Sequence, residues 1–165
     1  DKIIDMFNPT WDEEPNFDEA FLKALNIAEI IFDNVLRNEI SKMKAKEIVL
    51  SKIDTVENNI LILDKYIPYN DAVFSSSNPK AKDIKVVILP SNRGGYCVKP
   101  ITVSKESKEL LINFPKEYFG LHDEELQKIS GIKTARFVHS TGFLGTAETL
   151  EDAILLAKKA LENLK

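Results

Sequence analysis

The 165 residues hold 22 lysines and arginines against 26 aspartates and glutamates, with 44% hydrophobic content. That length suits one globular domain with a sizeable core, and a net charge of -4 argues against a general nucleic-acid coat, since phosphate neutralisation takes clustered cations. One cysteine, Cys97, leaves no internal disulfide and no spacing partner for a zinc site, and the apolar runs fall far short of the roughly 20 residues that span a bilayer, so a cytoplasmic protein without a membrane partner is expected.

The opening segment Asp1-Lys-Ile-Ile-Asp-Met-Phe7 reads as the tail of an element, in a piece trimmed from something longer. Asn8-Pro-Thr-Trp11 and Asp12-Glu-Glu-Pro15 then place two proline breaks before any helix. Asn16 is the predicted N-cap, with Glu19 three residues on completing a capping box. Phe21, Ala24, Leu25, Ala28, Ile31, Phe32, Val35 and Leu36 recur at three- and four-residue steps, so an amphipathic helix is predicted to about Ile40. A second helix or a continuation carries Met43, Ile48, Leu50 and Ile53.

From Asn58 the period changes. Ile60-Leu-Ile-Leu63 predicts a buried strand, and Pro68 to Phe74 one or two helical turns. Lys85 to Leu89 and Tyr96 to Val103 predict two strands joined at Ser91-Asn-Arg-Gly-Gly95. Arg93 and the two glycines can cradle an anion, although a Gly-Gly hairpin turn accounts for them without a ligand. Pro115 to Gly120 reads as a loop, His122 to Ile129 as a short helix stopped at Gly131, and Ala135 to Val138 as a strand. Thr149 caps a last helix whose apolar face runs Ala153, Ile154, Ala157, Ala160, Leu161 and Leu164. The predicted fold class is α+β: a small mixed or antiparallel sheet packed with helices, preceded by a long amphipathic helix.

Charge is uneven along the chain. Residues 1–20 hold seven acids and one lysine, net -6; residues 80–108 hold seven bases and two acids, net +5. Only Arg37, Arg93 and Arg136 offer a guanidinium, so bidentate phosphate clamps are few. No His, Asp, Glu or Cys cluster has metal-ligand spacing, and no serine sits in a nucleophile elbow. All six glycines lie at or after Gly94. Gly142 and Gly145 bracket a turn beside His139, Ser140 and Thr141, where an imidazole, two hydroxyls and backbone amides can meet a phosphate or carboxylate. By spacing alone, a strand end with polar side chains in solvent is the better account of the segment.

The order of Asn8-Pro-Thr-Trp11, Leu63-Asp-Lys-Tyr-Ile-Pro-Tyr69, Gly120-Leu-His-Asp-Glu-Glu-Leu126, Ile129-Ser-Gly-Ile132 and Phe137-Val-His-Ser-Thr-Gly-Phe-Leu-Gly145 resembles the C-terminal half of the melanocyte proliferating gene family. The resemblance covers nearly the whole chain. It implies kinship with the DHH phosphoesterases and a metal-dependent 3′ to 5′ exonuclease acting on RNA or oligonucleotides, with a divalent metal, typically manganese, held in a domain upstream of Asn8. Residues 1–15 are then expected to be the linker from that catalytic domain, and residues 16–165 the substrate-binding domain, itself without a catalytic or metal residue. Implied substrate contacts are His139, Ser140, Thr141, Gly142 and Gly145, with Lys65 and Arg93 as electrostatic candidates. Four positions depart from the family pattern: His122 replaces a common arginine, Thr146 and Ala147 replace a glycine and a polar residue, and Tyr69 replaces a tryptophan. The alternative reading is a non-catalytic module that uses the long helix and residues 149–164 to form a homodimer or dock a protein.

Overall fold

A computed structural model describes residues 2–163. The expected Leu164 contact of the last helix lies outside the described residues. The chain divides into two compact units, one up to Lys44 and one from Ala45 onward.

The first unit holds α1 (Lys2–Asp5) and most of α2 (Phe17–Ile53). Between them, Thr10 donates from its backbone N–H to Glu13 Oε2 (2.9 Å) and from its hydroxyl to Asp12 Oδ1 (2.8 Å), satisfying the proline-broken segment locally. Asn16 caps the helix, and Glu19 returns to its side chain and not to its backbone N–H as a full capping box would. Glu19 N–H donates to Asn16 Oδ1 (3.1 Å), and the Asn16 amide donates to Glu19 Oε2 (3.2 Å). The helix does not stop at Ile40; it is one helix of 37 residues, since nothing between Ile40 and Ile53 breaks it and Lys42 pairs with Glu39 (2.6 Å). Its apolar stripe is exposed, Phe17, Phe21 and Phe32 each by about two thirds.

The second unit contains a five-stranded sheet of order β1-β2-β3-β5-β4: β1 (Ile60–Ile62), β2 (Val86–Pro90), β3 (Tyr96–Pro100), β4 (Ala135–Val138) and β5 (Gly145–Ala147). β1 and β2 are parallel and the other pairs antiparallel, so the sheet is mixed. Asn58 and Asn59, at φ 50 and 64, turn the chain tightly into β1, with Ile60 N–H donating to Glu57 O (2.9 Å); asparagine tolerates that left-handed backbone.

Strand alternation sends side chains to two faces. On one, Val86, Ile88, Val98 and Ala147 pack with Leu156, Ala157 and Ala160 of α5 (Leu150–Leu161) and Leu126 of α4 (Asp123–Ser130). On the other, Leu61, Leu63, Val87, Leu89 and Cys97 pack with Val49 and Ile53 of α2 and with Ala72 and Val73 of α3 (Asn70–Ser75). Each fully buried aliphatic side chain contributes about 1.5–3 kcal/mol. α5 starts as expected, Asp152 N–H donating to Thr149 Oγ1 (3.2 Å), and the same Asp152 takes Thr134 N–H and Oγ1 through Oδ2 (2.8 and 2.7 Å), fixing the helix to the chain entering β4. Single 3-10 turns at Pro79–Asp83 and Lys116–Tyr118, and the strand β5, are additions to the predicted elements.

Candidate functional site

β4 and β5 are joined by the turn 139–144. His139 N–H donates to Leu144 O and Gly142 N–H to His139 O, both 2.8 Å, which closes a hairpin at the edge of the sheet. The outer side of β4 is partly covered: Gly120 N–H reaches Val138 O (2.9 Å), Val138 N–H reaches Leu121 O (3.2 Å), and His122 bridges to Phe137.

His139 Nδ1 receives the Thr141 backbone N–H at 3.2 Å and lies 3.0 Å from Thr141 Oγ1. A backbone amide only donates, so in the neutral imidazole this bond assigns the proton to Nε2. That leaves one N–H donor on a ring held by its neighbour, beside the exposed Ser140 and Thr141 hydroxyls. The N–H groups of Ser140 and Phe143 take no partner within the turn.

The glycines have reasons of their own. Gly142 sits at φ 72, and a Cβ there would lie 2.7 Å from Phe119 Cζ and 2.8 Å from Asn113 Oδ1. A Cβ on Gly145 would lie 2.8 Å from Phe114 Cζ and 2.9 Å from Leu156 Cδ2. Both glycines are buried, and the protein's own side chains occupy the close approach that the sequence left open to a ligand.

His139, Ser140, Thr141, Gly142 and Gly145 thus share one hairpin. Arg93 and Lys65 do not join them. Val98 pairs with Gly145 and Tyr96 with Ala147, so the turn 139–144 lies beyond the Pro100 end of β3 and the exposed Arg93, in the β2–β3 turn, beyond its Tyr96 end. Those ends are about 13 Å apart along the strand. The exposed Lys65 follows β1, at the opposite sheet edge from β4, about 19 Å across the strands. The Arg93 turn closes as a plain hairpin, Ser91 N–H donating to Gly95 O (2.8 Å), and Arg136, nearest the site in sequence, is paired with Glu148.

The sequence pattern points to His139 as a candidate contact, but not to the ring series that it joins. His122 stacks on Phe137 (centroids 4.6 Å apart, planes at 26°), Phe137 meets His139 edge to face (6.0 Å, 81°), and His139 tilts against Phe143 (4.4 Å, 53°). The available signal was the two-residue step from Phe137 to His139, which puts both on one strand face.

A surface groove of about 940 Å³ runs along residues 110–118 and Lys159, Glu162 and Asn163. It contains no histidine, and its Lys159 is spent on Glu162 (3.3 Å). Among the described residues no three His, Cys, Asp or Glu side chains come together as metal ligands, so these residues do not fit the implied metal. Among the described residues no helix is long and apolar enough to cross a membrane.

The fold and its hairpin define an α+β domain that displays polar and aromatic groups at one sheet edge. The chain belongs to the MYG1 family, described as an uncharacterised protein family (UPF0160), whose model matches residues 1–161. It is 28% identical to the MYG1 protein YER156C of Saccharomyces cerevisiae over 96% of this chain and 50% of that protein. It is 38% identical to the MYG1 protein of Dictyostelium discoideum over 62% of this chain and 32% of that protein, and 24% identical to the MYG1 exonuclease of Homo sapiens over 96% and 45%. The chain spans about half the length of curated relatives it matches, such as the yeast protein. No solved structure matches it significantly.

Proposed function

We propose that this chain is the substrate-binding part of a DHH-like, metal-dependent phosphoesterase, a 3′ to 5′ exonuclease on RNA or short oligonucleotides. An upstream catalytic domain holds a divalent metal, manganese by the resemblance, and this chain holds the strand end. Its family membership and the exonuclease names of mammalian relatives support a nuclease.

One observation carries the role of the site: Thr141 occupies His139 Nδ1 with its backbone N–H and its hydroxyl, so the ring offers Nε2–H, with the Ser140 hydroxyl next to it in the chain, to an anionic oxygen. A hydrogen bond to a charged group is worth about 1.5–3 kcal/mol. Gly142 and Gly145 shape the turn, whereas Lys65 and Arg93 act on the substrate only through long-range attraction, screened within about 10 Å at ordinary salt. Binding of a 5′-fluorescein-labelled single-stranded RNA pentamer to the 165-residue chain tests this. Affinity should fall about tenfold in His139→Ala at unchanged oligomeric mass, and equal affinity of the two proteins refutes it.

The exposed apolar stripe from Phe17 to Leu36 favours a second reading, an interaction module without a ligand. Phe32→Glu separates the two. Loss of self-association or partner binding, with no RNA bound by the unaltered chain, favours the module.

A further inference from the structure

We infer that the ring series His122, Phe137, His139 and Phe143 is a stacking platform for the terminal nucleobase of a single-stranded nucleic acid, an inference that rests on the strand-end reading above. The four side chains come from three places: the segment before α4, strand β4 and the tip of the β4–β5 turn. Each ring touches the next, at centroid distances of 4.6, 6.0 and 4.4 Å.

Folding alone does not account for them. Phe137 and Phe143 belong to neither of the two core clusters, and their ring partners are the imidazoles. Phe143 is 44% exposed at the tip of a turn, directly after the buried, left-handed Gly142. A phenylalanine held there keeps an apolar ring in water, a cost that a planar partner would relieve. Every nucleobase has a flat π-face, and stacking on protein rings recognises single strands without regard to sequence.

Charge sets the direction of the strand. Asp123, Glu124 and Glu125 follow His122 and are exposed, so the His122 end repels phosphate. At the other end His139 Nε2–H and the Ser140 hydroxyl are donors, the Thr141 hydroxyl being directed to His139 Nδ1. A base lying against Phe143 and His139 therefore puts its own phosphate on the Ser140–Thr141 side. The platform reads the base by shape and the turn holds the phosphate.

The test uses the 165-residue chain and two RNA pentamers, one ending in 2-aminopurine at its 3′ nucleotide and one with that nucleotide abasic. The 2-aminopurine fluorescence should be quenched on binding, and the abasic strand should bind about tenfold more weakly. Phe143→Leu, which keeps apolar bulk and loses the ring, should weaken the 2-aminopurine strand by a similar factor and leave the abasic strand unchanged; Phe143→Tyr should restore binding. Circular dichroism of each variant reports the fold, and the abasic comparison on the unaltered chain needs no variant. Equal affinity for both strands, with the His139→Ala effect intact, overturns the platform and spares the phosphate site. Failure of the unaltered chain to bind either strand overturns both.

Discussion

Replacing Gly145 by alanine places a methyl carbon 2.8 Å from Phe114 Cζ and 2.9 Å from Leu156 Cδ2. Ordinary carbon contacts lie near 3.5–4.0 Å, so both side chains must retreat by more than half an ångström. Neither has open space to enter, because Phe114 is 1% and Leu156 0% exposed. Gly145 does not stand at a positive φ, so the strain is one of packing and not of backbone. Overpacking a closed core costs about 1–3 kcal/mol, which in a chain of this size lowers Tm by roughly 2–12 °C. Urea unfolding and a thermal melt read that loss. Trimming the neighbour in Leu156→Val removes a terminal carbon at the same place. The double variant should therefore lose less than the two single losses combined. An alanine variant as stable as the parent that no longer binds the RNA pentamer would refute the reasoning, since Gly145 would then face a ligand instead of the core.

Gly142→Ala should cost more than Gly145→Ala by urea midpoint, about 2–5 kcal/mol, because a 2.7 Å approach to Phe119 Cζ adds to the strain of φ 72. Asp71 accepts Lys105 Nζ at 2.6 Å and Lys46 Nζ at 2.9 Å, and these hydrogen bonds hold its carboxyl down at about 2 from an ordinary 3.8. A depressed carboxylate stabilises the fold above its unfolded pKa and loses that contribution as pH falls through its folded one. Stability should drop between about pH 4 and about pH 2 by less in Asp71→Asn than in the parent, and identical urea midpoints across that window would count against the pairing. Asn16→Ala removes the α2 cap and should destabilise the start of that helix by about 1 kcal/mol, seen as reduced ellipticity at 222 nm.

Where a local signal dominates, sequence and structure coincide. The Asn16 cap on Glu19 N–H, Thr149 with Asp152 and the Gly94–Gly95 turn each depend on residues within four positions, and each forms as expected. The strand β5 was not legible, since Gly145-Thr-Ala147 has no alternating apolar pattern and becomes a strand only because β3 and β4 pair with it from both sides. Long-range register also separates Arg93 from His139, a matter on which composition is silent. The glycines show the limit most directly. Their spacing suggested an open backbone, while Phe119 and Asn113 at Gly142, and Phe114 and Leu156 at Gly145, are distant in sequence and fill that space. The ring series from His122 to Phe143 depends on the bridge between His122 and Phe137, another pairing set by the fold.

Fluorescence anisotropy of the labelled RNA pentamer, titrated with the 165-residue chain and with its His139→Ala variant, tests the substrate-binding role most directly. Saturable binding by the parent, weakened about tenfold in the variant at unchanged mass and ellipticity, is the expected result. No binding by the parent, or the same affinity in both, contradicts it.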